Sequence, residues 1–153
     1  MKFPNSQWTW AATKCFGNGH AYAWDPVNKY PEWWVLGPAD VTDQCTGKSL
    51  PKEGLGATMK FTLKGLKMSK MDADGKVISS GQFKFDMTAD SHGWAIGTLT
   101  LQNTNILCGY DFNGNLVPWS QYSITYFDNN TLVLGAQEHA PNSNYWFWVF
   151  TAQ

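Results

Sequence analysis

Arginine is absent from this sequence of 153 residues, and charged residues of both signs are scarce. All 11 basic residues are lysines, and 12 acidic residues bring the formal net charge to −1. A charge so close to neutral gives no electrostatic reason to expect nucleic acid or an anionic membrane surface as a partner. The lack of arginine also removes the side chain best suited to bidentate contacts with phosphate or carboxylate.

Long hydrophobic segments are missing as well. No run approaches the roughly 20 apolar residues of a membrane-spanning helix, and residues 1–5 contain no apolar stretch that would act as a secretion signal. We therefore expect either a cytoplasmic protein or one domain of a longer exported chain, with no direct membrane insertion by this segment. The cysteines leave the compartment open, because Cys15 and Cys45, both in loop-like sequence, could form a disulfide, or all three thiols, with Cys108, could be idle.

The motifs of several enzyme classes and cofactor sites are also absent. There is no Gly-x-Ser-x-Gly, no glycine-rich phosphate loop and no Cys-x-x-Cys, and the three histidines lack the spacing of metal ligands. Asp72-x-Asp74-Gly75 has the form of a calcium loop, but Phe83 stands where the bidentate glutamate belongs, which favours a hairpin turn. We therefore expect no cofactor, no metal and no catalysis. A glycoside hydrolase, which needs only two carboxylates, stays open on composition.

Aromatic residues are abundant, with 9 Trp, 6 Tyr and 9 Phe. From Gly56 onward, apolar residues alternate with a period of two, as in 59–64, 82–87 and 122–126, and this pattern predicts half-buried strands. Turn sequences at 72–75, 112–115 and 128–130 predict hairpins, one of them across 56–88 with a bulge or bend at Gly65. The stretch 145–150 is apolar throughout and predicts a strand covered on both faces.

These patterns predict a single all-β domain over residues 1–153. No convincing helical stripe occurs, and residues 1–55 are irregular after a first strand at 7–10. We expect an antiparallel barrel or β-sandwich of about eight to ten strands with a loop-rich N-terminal third. The tryptophans expected in its core are Trp8, Trp10, Trp94, Trp146 and Trp148.

Two segments combine aromatic residues with amides, and this mixture is typical of sugar-binding sites. The C–H faces of pyranose rings pack on flat aromatic rings, while their hydroxyls need planar amide or carboxylate partners. The two segments are 20–30 and 110–121, and the loop 137–142 is a third candidate. The residues that we expect to bind glycan are Trp24, Tyr30, Trp34, Asp111, Asn113, Asn115, Trp119 and His139.

A set of motifs spread over nearly the whole chain resembles one protein family. The motifs are Trp8-x-Trp10, Phe16-Gly17-Asn18-Gly19, Trp33-Trp34, Glu53-Gly54-x-Gly56-Ala57-x-Met59-x-Phe61, Gly81-x-Phe83-x-Phe85-Asp86-Met87, Trp94-x-Ile96-Gly97-x-Leu99, Tyr122-x-Ile124 and Trp146-Phe147-Trp148-x-Phe150. Together they resemble the C-terminal, lipocalin-like domain of PKD-containing surface glycan-binding lipoproteins from polysaccharide-utilisation systems of the Bacteroidetes type.

This resemblance implies a lipocalin-like all-β fold, a place at the cell surface or outer membrane as the C-terminal part of an exported lipoprotein, and capture of a glycan. We accordingly expect a monomeric, non-catalytic domain that binds polysaccharide or oligosaccharide. The Gly-x-Trp motif of true lipocalins is replaced by Gln7-Trp8-Thr9-Trp10. This departure gives no support to the idea that the barrel interior holds a ligand. The alternatives are a lipocalin-like barrel that binds a small apolar ligand and a structural module of a surface lipoprotein.

Overall fold

The computed structural model describes residues 7–18, 34–36, 52–88, 95–109, 121–137 and 145–153. Across these ranges every regular element is a β-strand, and none contains a helix of the length and hydropathy needed to cross a bilayer. The strands are β1 (Gln7–Asn18), β2 (Trp34–Leu36), β3 (Thr58–Thr62), β4 (Lys67–Met71), β5 (Val77–Asp86), β6 (Gly97–Gln102), β7 (Gln121–Phe127), β8 (Thr131–Gln137) and β9 (Tyr145–Ala152).

Eight of these strands close into an antiparallel barrel. Each strand from β3 to β9 pairs with the next one along the chain, and β1 joins the two ends of the series by pairing with both β3 and β9. The short β2 pairs with β1 at 15–17, beyond the part of β1 that pairs with β3. The predicted all-β antiparallel fold is confirmed, and of its two possible forms the barrel is the one present.

Turn chemistry sets two of the three predicted hairpin turns, and the third, at 112–115, lies outside the described residues. Asp72 Oδ1 accepts hydrogen bonds from the backbone N–H groups of Asp74 and Lys76, and it thereby closes the β4–β5 turn. Asp128 Oδ1 likewise accepts from the N–H groups of Asn130 and Thr131 between β7 and β8. Both turns are therefore held by an aspartate that caps its own loop, as aspartate commonly does.

The interpretation of 56–88 as one hairpin needs correction, because this stretch contains two hairpins that share β4. Gly65 has a φ of +76° in a tight turn, and the N–H of Leu66 donates to the carbonyl of Leu63 at 3.0 Å. The change of side-chain phase at Gly65 therefore marks a reversal of the chain, which glycine permits at positive φ.

The first strand is longer than the sequence pattern predicts. It continues to Asn18, through residues that were expected to be irregular, and it includes Cys15, which was expected in a loop. The alternation fails because the register with β9 shifts between Ala12 and Lys14. Such a bulge moves successive side chains to the other face of the sheet, so a strand with a bulge loses its period-two signature.

Large apolar side chains fill the interior wherever the structure describes it. Three of the tryptophans expected in the core, Trp10, Trp146 and Trp148, are at most 3% exposed, and Phe61, Phe83 and Phe85 form a cluster of tilted and edge-on rings. Trp94 and the side chain of Trp8 lie outside the described residues. Among the described residues, the interior is therefore packed with aromatic rings.

The last strand is covered on both faces, as predicted. Trp146, Trp148 and Phe150 point into the barrel, whereas Phe147 and Val149 pack on the outside with Val133 of β8. All of these side chains are at most 4% exposed. The wall formed by β8 and β9 is thus the most deeply buried part of the described barrel.

Candidate functional site

Strand ends that flank the three predicted glycan-binding segments come together at one end of the barrel. Asn18, the last residue of β1, pairs with Tyr145 at the start of β9, and Tyr145 pairs in turn with Gln137 at the end of β8. Next to them, β7 begins at Gln121, two residues before the pairing of Ser123 with Gly135. We call this row the upper end; the β3–β4 turn lies at the opposite, lower end.

Most of the predicted site residues cannot be located in this frame. Trp24, Tyr30, Asp111, Asn113, Asn115, Trp119 and His139 lie outside the described residues, as do Cys45 and the side chain of Cys15. Trp34 is described by its backbone alone, which opens β2 and pairs with Gly17 near the upper end. The assignment of these residues to a glycan site stays a prediction.

A polar cluster that the sequence analysis did not predict lies inside the barrel. Lys70 of β4 places its Nζ 2.5 Å from Glu53 Oε1 and 2.7 Å from Asn105 Oδ1. The second carboxylate oxygen of Glu53 accepts the backbone N–H of Cys108 at 2.9 Å. All three side chains are buried, and we call them the Lys70 triad.

Two non-strand segments, 52–57 and 103–109, bring the triad together. Glu53 lies in the first, and Asn105 and Cys108 lie in the second. The Cys108 thiol donates to the Glu53 carbonyl at 3.3 Å, and the Cys108 carbonyl accepts the indole N–H of Trp148 at 2.9 Å. The second segment is also fixed to β5 by a 2.9 Å hydrogen bond between the hydroxyls of Ser79 and Thr104. The triad is therefore held from the loops, from β4 and from β9.

Tyr122 lines the same buried space. Its ring meets that of Trp148 edge to face, with the centroids 6.0 Å apart. Burial, together with the charge of Glu53, raises the pKa of the Tyr122 hydroxyl well above its ordinary value, although the nearby backbone N–H of Ile106 acts in the opposite direction. No described residue forms a hydrogen bond of ordinary geometry with this hydroxyl. The surroundings of the triad are thus poor in polar partners.

One signal in the sequence points to the triad in retrospect. Met68 faces the interior, and the period of two then also turns Lys70 inward. A lysine at such a position needs a buried partner. Its partners, Glu53 and Asn105, lie 17 and 35 residues away in segments without periodicity, so the sequence alone does not identify them.

The outer surface carries a groove of about 420 Å³ near the lower end. Gln82 and Gln102 face each other across β5 and β6, with Lys84 and Thr100 as the next pair. Phe83 and Leu101 also line the groove but their side chains are almost fully buried, and the exposed Leu66 adds an apolar side chain. Amides, a hydroxyl and an amine beside an apolar side chain make this groove a second place where a polar ligand could bind.

The closed barrel is an architecture compatible with lipocalin-like ligand binding. Within the described ranges, no three His, Cys, Asp or Glu side chains lie close enough together to hold a metal ion. No known protein family matches the chain, and no curated protein matches it either.

Proposed function

We propose that this protein is a non-catalytic carbohydrate-binding domain that captures a polysaccharide or oligosaccharide at the upper end of its barrel. The observation that carries the proposal is the row formed by Asn18, Tyr145 and Gln137, with Gln121 beside it. Because these residues border segments 19–33, 110–120 and 138–144, three stretches that are distant in sequence join the barrel at neighbouring points, and the first two of them are rich in aromatic residues.

The composition of these segments supports a sugar ligand. Trp24 and Trp119 supply indole rings for the C–H faces of a pyranose, and Asn113 and Asn115 supply amides for its hydroxyls. The absence of arginine favours a neutral or weakly charged glycan over one crowded with sulfate or carboxylate groups.

The packing of the barrel favours binding outside the interior. Wherever the structure describes it, the interior is filled by side chains such as Phe61, Tyr122 and Trp148, each at most 1% exposed. A lipocalin-like ligand held among them would have to displace several rings from a close-packed core. We therefore assign capture to the loops above the barrel rather than to its interior.

Affinity electrophoresis in gels that contain plant, algal, yeast or host polysaccharides tests this proposal. We expect at least one polysaccharide to retard the parent protein, and we expect Trp24→Ala or Trp119→Ala to remove most of that retardation without unfolding the barrel. The loss of one stacking ring should cost about 1–3 kcal/mol of binding free energy, by analogy with other stacking contacts.

Gln102→Ala, in the groove near the lower end, is the matched control and should leave retardation unchanged. If Gln102→Ala abolishes binding and both tryptophan variants retain it, the groove is the site and the upper end is not. If no glycan retards the protein but a fatty acid changes its tryptophan fluorescence, the result would support the small-ligand alternative. Shortened products on chromatography after incubation with an oligosaccharide would instead identify a hydrolase.

A further inference from the structure

The Lys70 triad has a chemistry that does not depend on glycan binding. It brings a primary amine into contact with a carboxamide and a carboxylate inside a barrel, and Glu53 is also bonded to Cys108 of the hydrophobic core. As a source of stability alone it is poorly explained, because well-packed apolar residues of similar volume usually stabilise a core as well as a buried ion pair does.

The geometry places a nucleophile against an acyl carbon. Lys70 Nζ lies 2.7 Å from Asn105 Oδ1, and a C=O bond is about 1.2 Å long, so Nζ is no more than about 3.9 Å from Asn105 Cγ. Reacting atoms in a near-attack arrangement are about 3–3.5 Å apart. A small rotation of the Asn105 amide therefore brings the amine and the carbonyl carbon into reacting distance.

We propose that Lys70 and Asn105 join through an amide bond between their side chains, with Glu53 as the group that carries the proton. The Lys70 ammonium passes a proton to Glu53 Oε1, and the neutral amine attacks Asn105 Cγ. A proton then moves from Nζ to the amide nitrogen, the bond from Cγ to that nitrogen breaks, and ammonia leaves. Ammonia takes the proton back from Glu53, so an ammonium group and a carboxamide become a secondary amide and an ammonium ion.

The contacts around the triad suit these roles. Glu53 Oε2 is held by the N–H of Cys108, which leaves Oε1 directed at Lys70. Asn105 Nδ2, the nitrogen that leaves, has no hydrogen-bond partner within the part of the chain that the structure describes. The apolar surroundings keep out the water that would compete with the amine for the carbonyl carbon.

The mass of the purified full chain under denaturing conditions tests the inference. We expect a mass lower than that of the sequence by one ammonia. Digestion with trypsin and chymotrypsin should yield a branched peptide that contains both Lys70 and Asn105, with no cleavage after Lys70. The full sequence mass, or a loss of ammonia that maps to another asparagine, would overturn the proposal. Neither measurement needs a variant, so a substitution that fails to fold does not affect the result.

Two variants separate the bond from a simple ion pair. Lys70→Arg keeps a cation beside Glu53 but has no amine for the attack, so it should retain the full mass. Glu53→Gln keeps the size of the side chain but no longer accepts the proton, and it should also retain the full mass. Lys67→Arg, on the exposed side of the same strand, is the control and should lose ammonia as the parent does. A branched peptide that persists in Glu53→Gln would exclude Glu53 as the proton carrier.

Discussion

The alternation of apolar and polar residues predicts which residues face the barrel interior, but it does not predict the environment of their polar groups. Tyr122 follows the pattern and faces inward, yet it takes a hydroxyl into a space that offers it little hydrogen bonding. Burial is the main reason that its pKa is raised, and the carboxylate of Glu53 adds to the effect. The folded protein therefore holds the Tyr122 proton to a higher pH than the unfolded chain does.

This difference predicts a loss of stability in alkali. Below pH ~10, the ordinary tyrosine value, both states keep the proton and Tyr122 causes no pH dependence. Above it, the unfolded chain releases the proton first, so the free energy of unfolding should fall by up to about 1.4 kcal/mol per pH unit. In urea titrations between pH 8 and pH ~11, the free energy of unfolding of Tyr122→Phe should fall less steeply with pH than that of the parent.

The comparison with a second tyrosine makes this assignment specific. Tyr126 donates its hydroxyl to Asp128 in an exposed hydrogen bond, and Tyr126→Phe should change the alkaline slope less than Tyr122→Phe does. Equal slopes for Tyr122→Phe and the parent would show that other groups, such as the lysines, cause the alkaline loss.

The sequence predicts some interior residues correctly and misses others for one physical reason. Trp10, Trp146 and Trp148 are buried as expected, because burial of large apolar side chains follows from composition and alternation. Glu53 and Asn105 are polar and lie in loop sequence, where the usual expectation is exposure. Their burial depends on contacts with Lys70 that form only when distant parts of the chain meet.

Individual strands are predicted well where local chemistry decides them. The turns at Asp72 and Asp128 are closed by their own side chains, so a few residues carry the whole signal. The length of β1 is missed, since its bulge next to Ala12 and its pairing with three different strands are properties of the closed sheet.

Gly81 lies where β5 is in close contact with the chain leaving β6. A Cβ at this position would lie 1.9 Å from the Gln102 carbonyl oxygen and 2.9 Å from Thr104 Cγ2. Gly81→Ala must therefore move the backbone of the segment that carries Asn105. We expect urea unfolding, monitored by tryptophan fluorescence, to show that the free energy of unfolding falls by about 1–3 kcal/mol.

Ser80→Ala is the matched control, because Ser80 is the exposed neighbour of Gly81 on the same strand. Its free energy of unfolding should stay within about 0.5 kcal/mol of the parent value. If Gly81→Ala is as stable as Ser80→Ala, the backbones at Gly81 and Gln102 lie farther apart than the structure shows.

The barrel is closed by the pairing of β1 with β9, and no local sequence pattern predicts this pairing. Trp10 pairs with Ala152, so the strand that seals the barrel meets residues from the opposite end of the sequence. Alternation gives the same signal in a sandwich and in a barrel, and this is why the two forms could not be separated beforehand.

Burial differs around the barrel, and amide hydrogen exchange should follow it. Both faces of the β8–β9 wall are covered, as Val133, Leu134, Phe147 and Trp148 show, whereas β4 and β5 expose many of their outward residues. We expect amides in β8 and β9 to exchange at least about a hundredfold more slowly than those of the β4–β5 hairpin. Similar rates in the two hairpins, measured by mass spectrometry of peptides, would contradict this expectation.

The first strand begins and the last strand ends side by side at the lower end, where the N–H of Gln153 donates to the carbonyl of Thr9 at 2.9 Å. A tether attached beyond the last strand therefore leaves the molecule from the pole opposite Asn18 and Tyr145. Protein immobilised on a sensor chip through a C-terminal tag should present its upper end to the solution. Many copies fixed in this orientation on a bead would face a long polymer with the same side, a geometry that favours multivalent attachment.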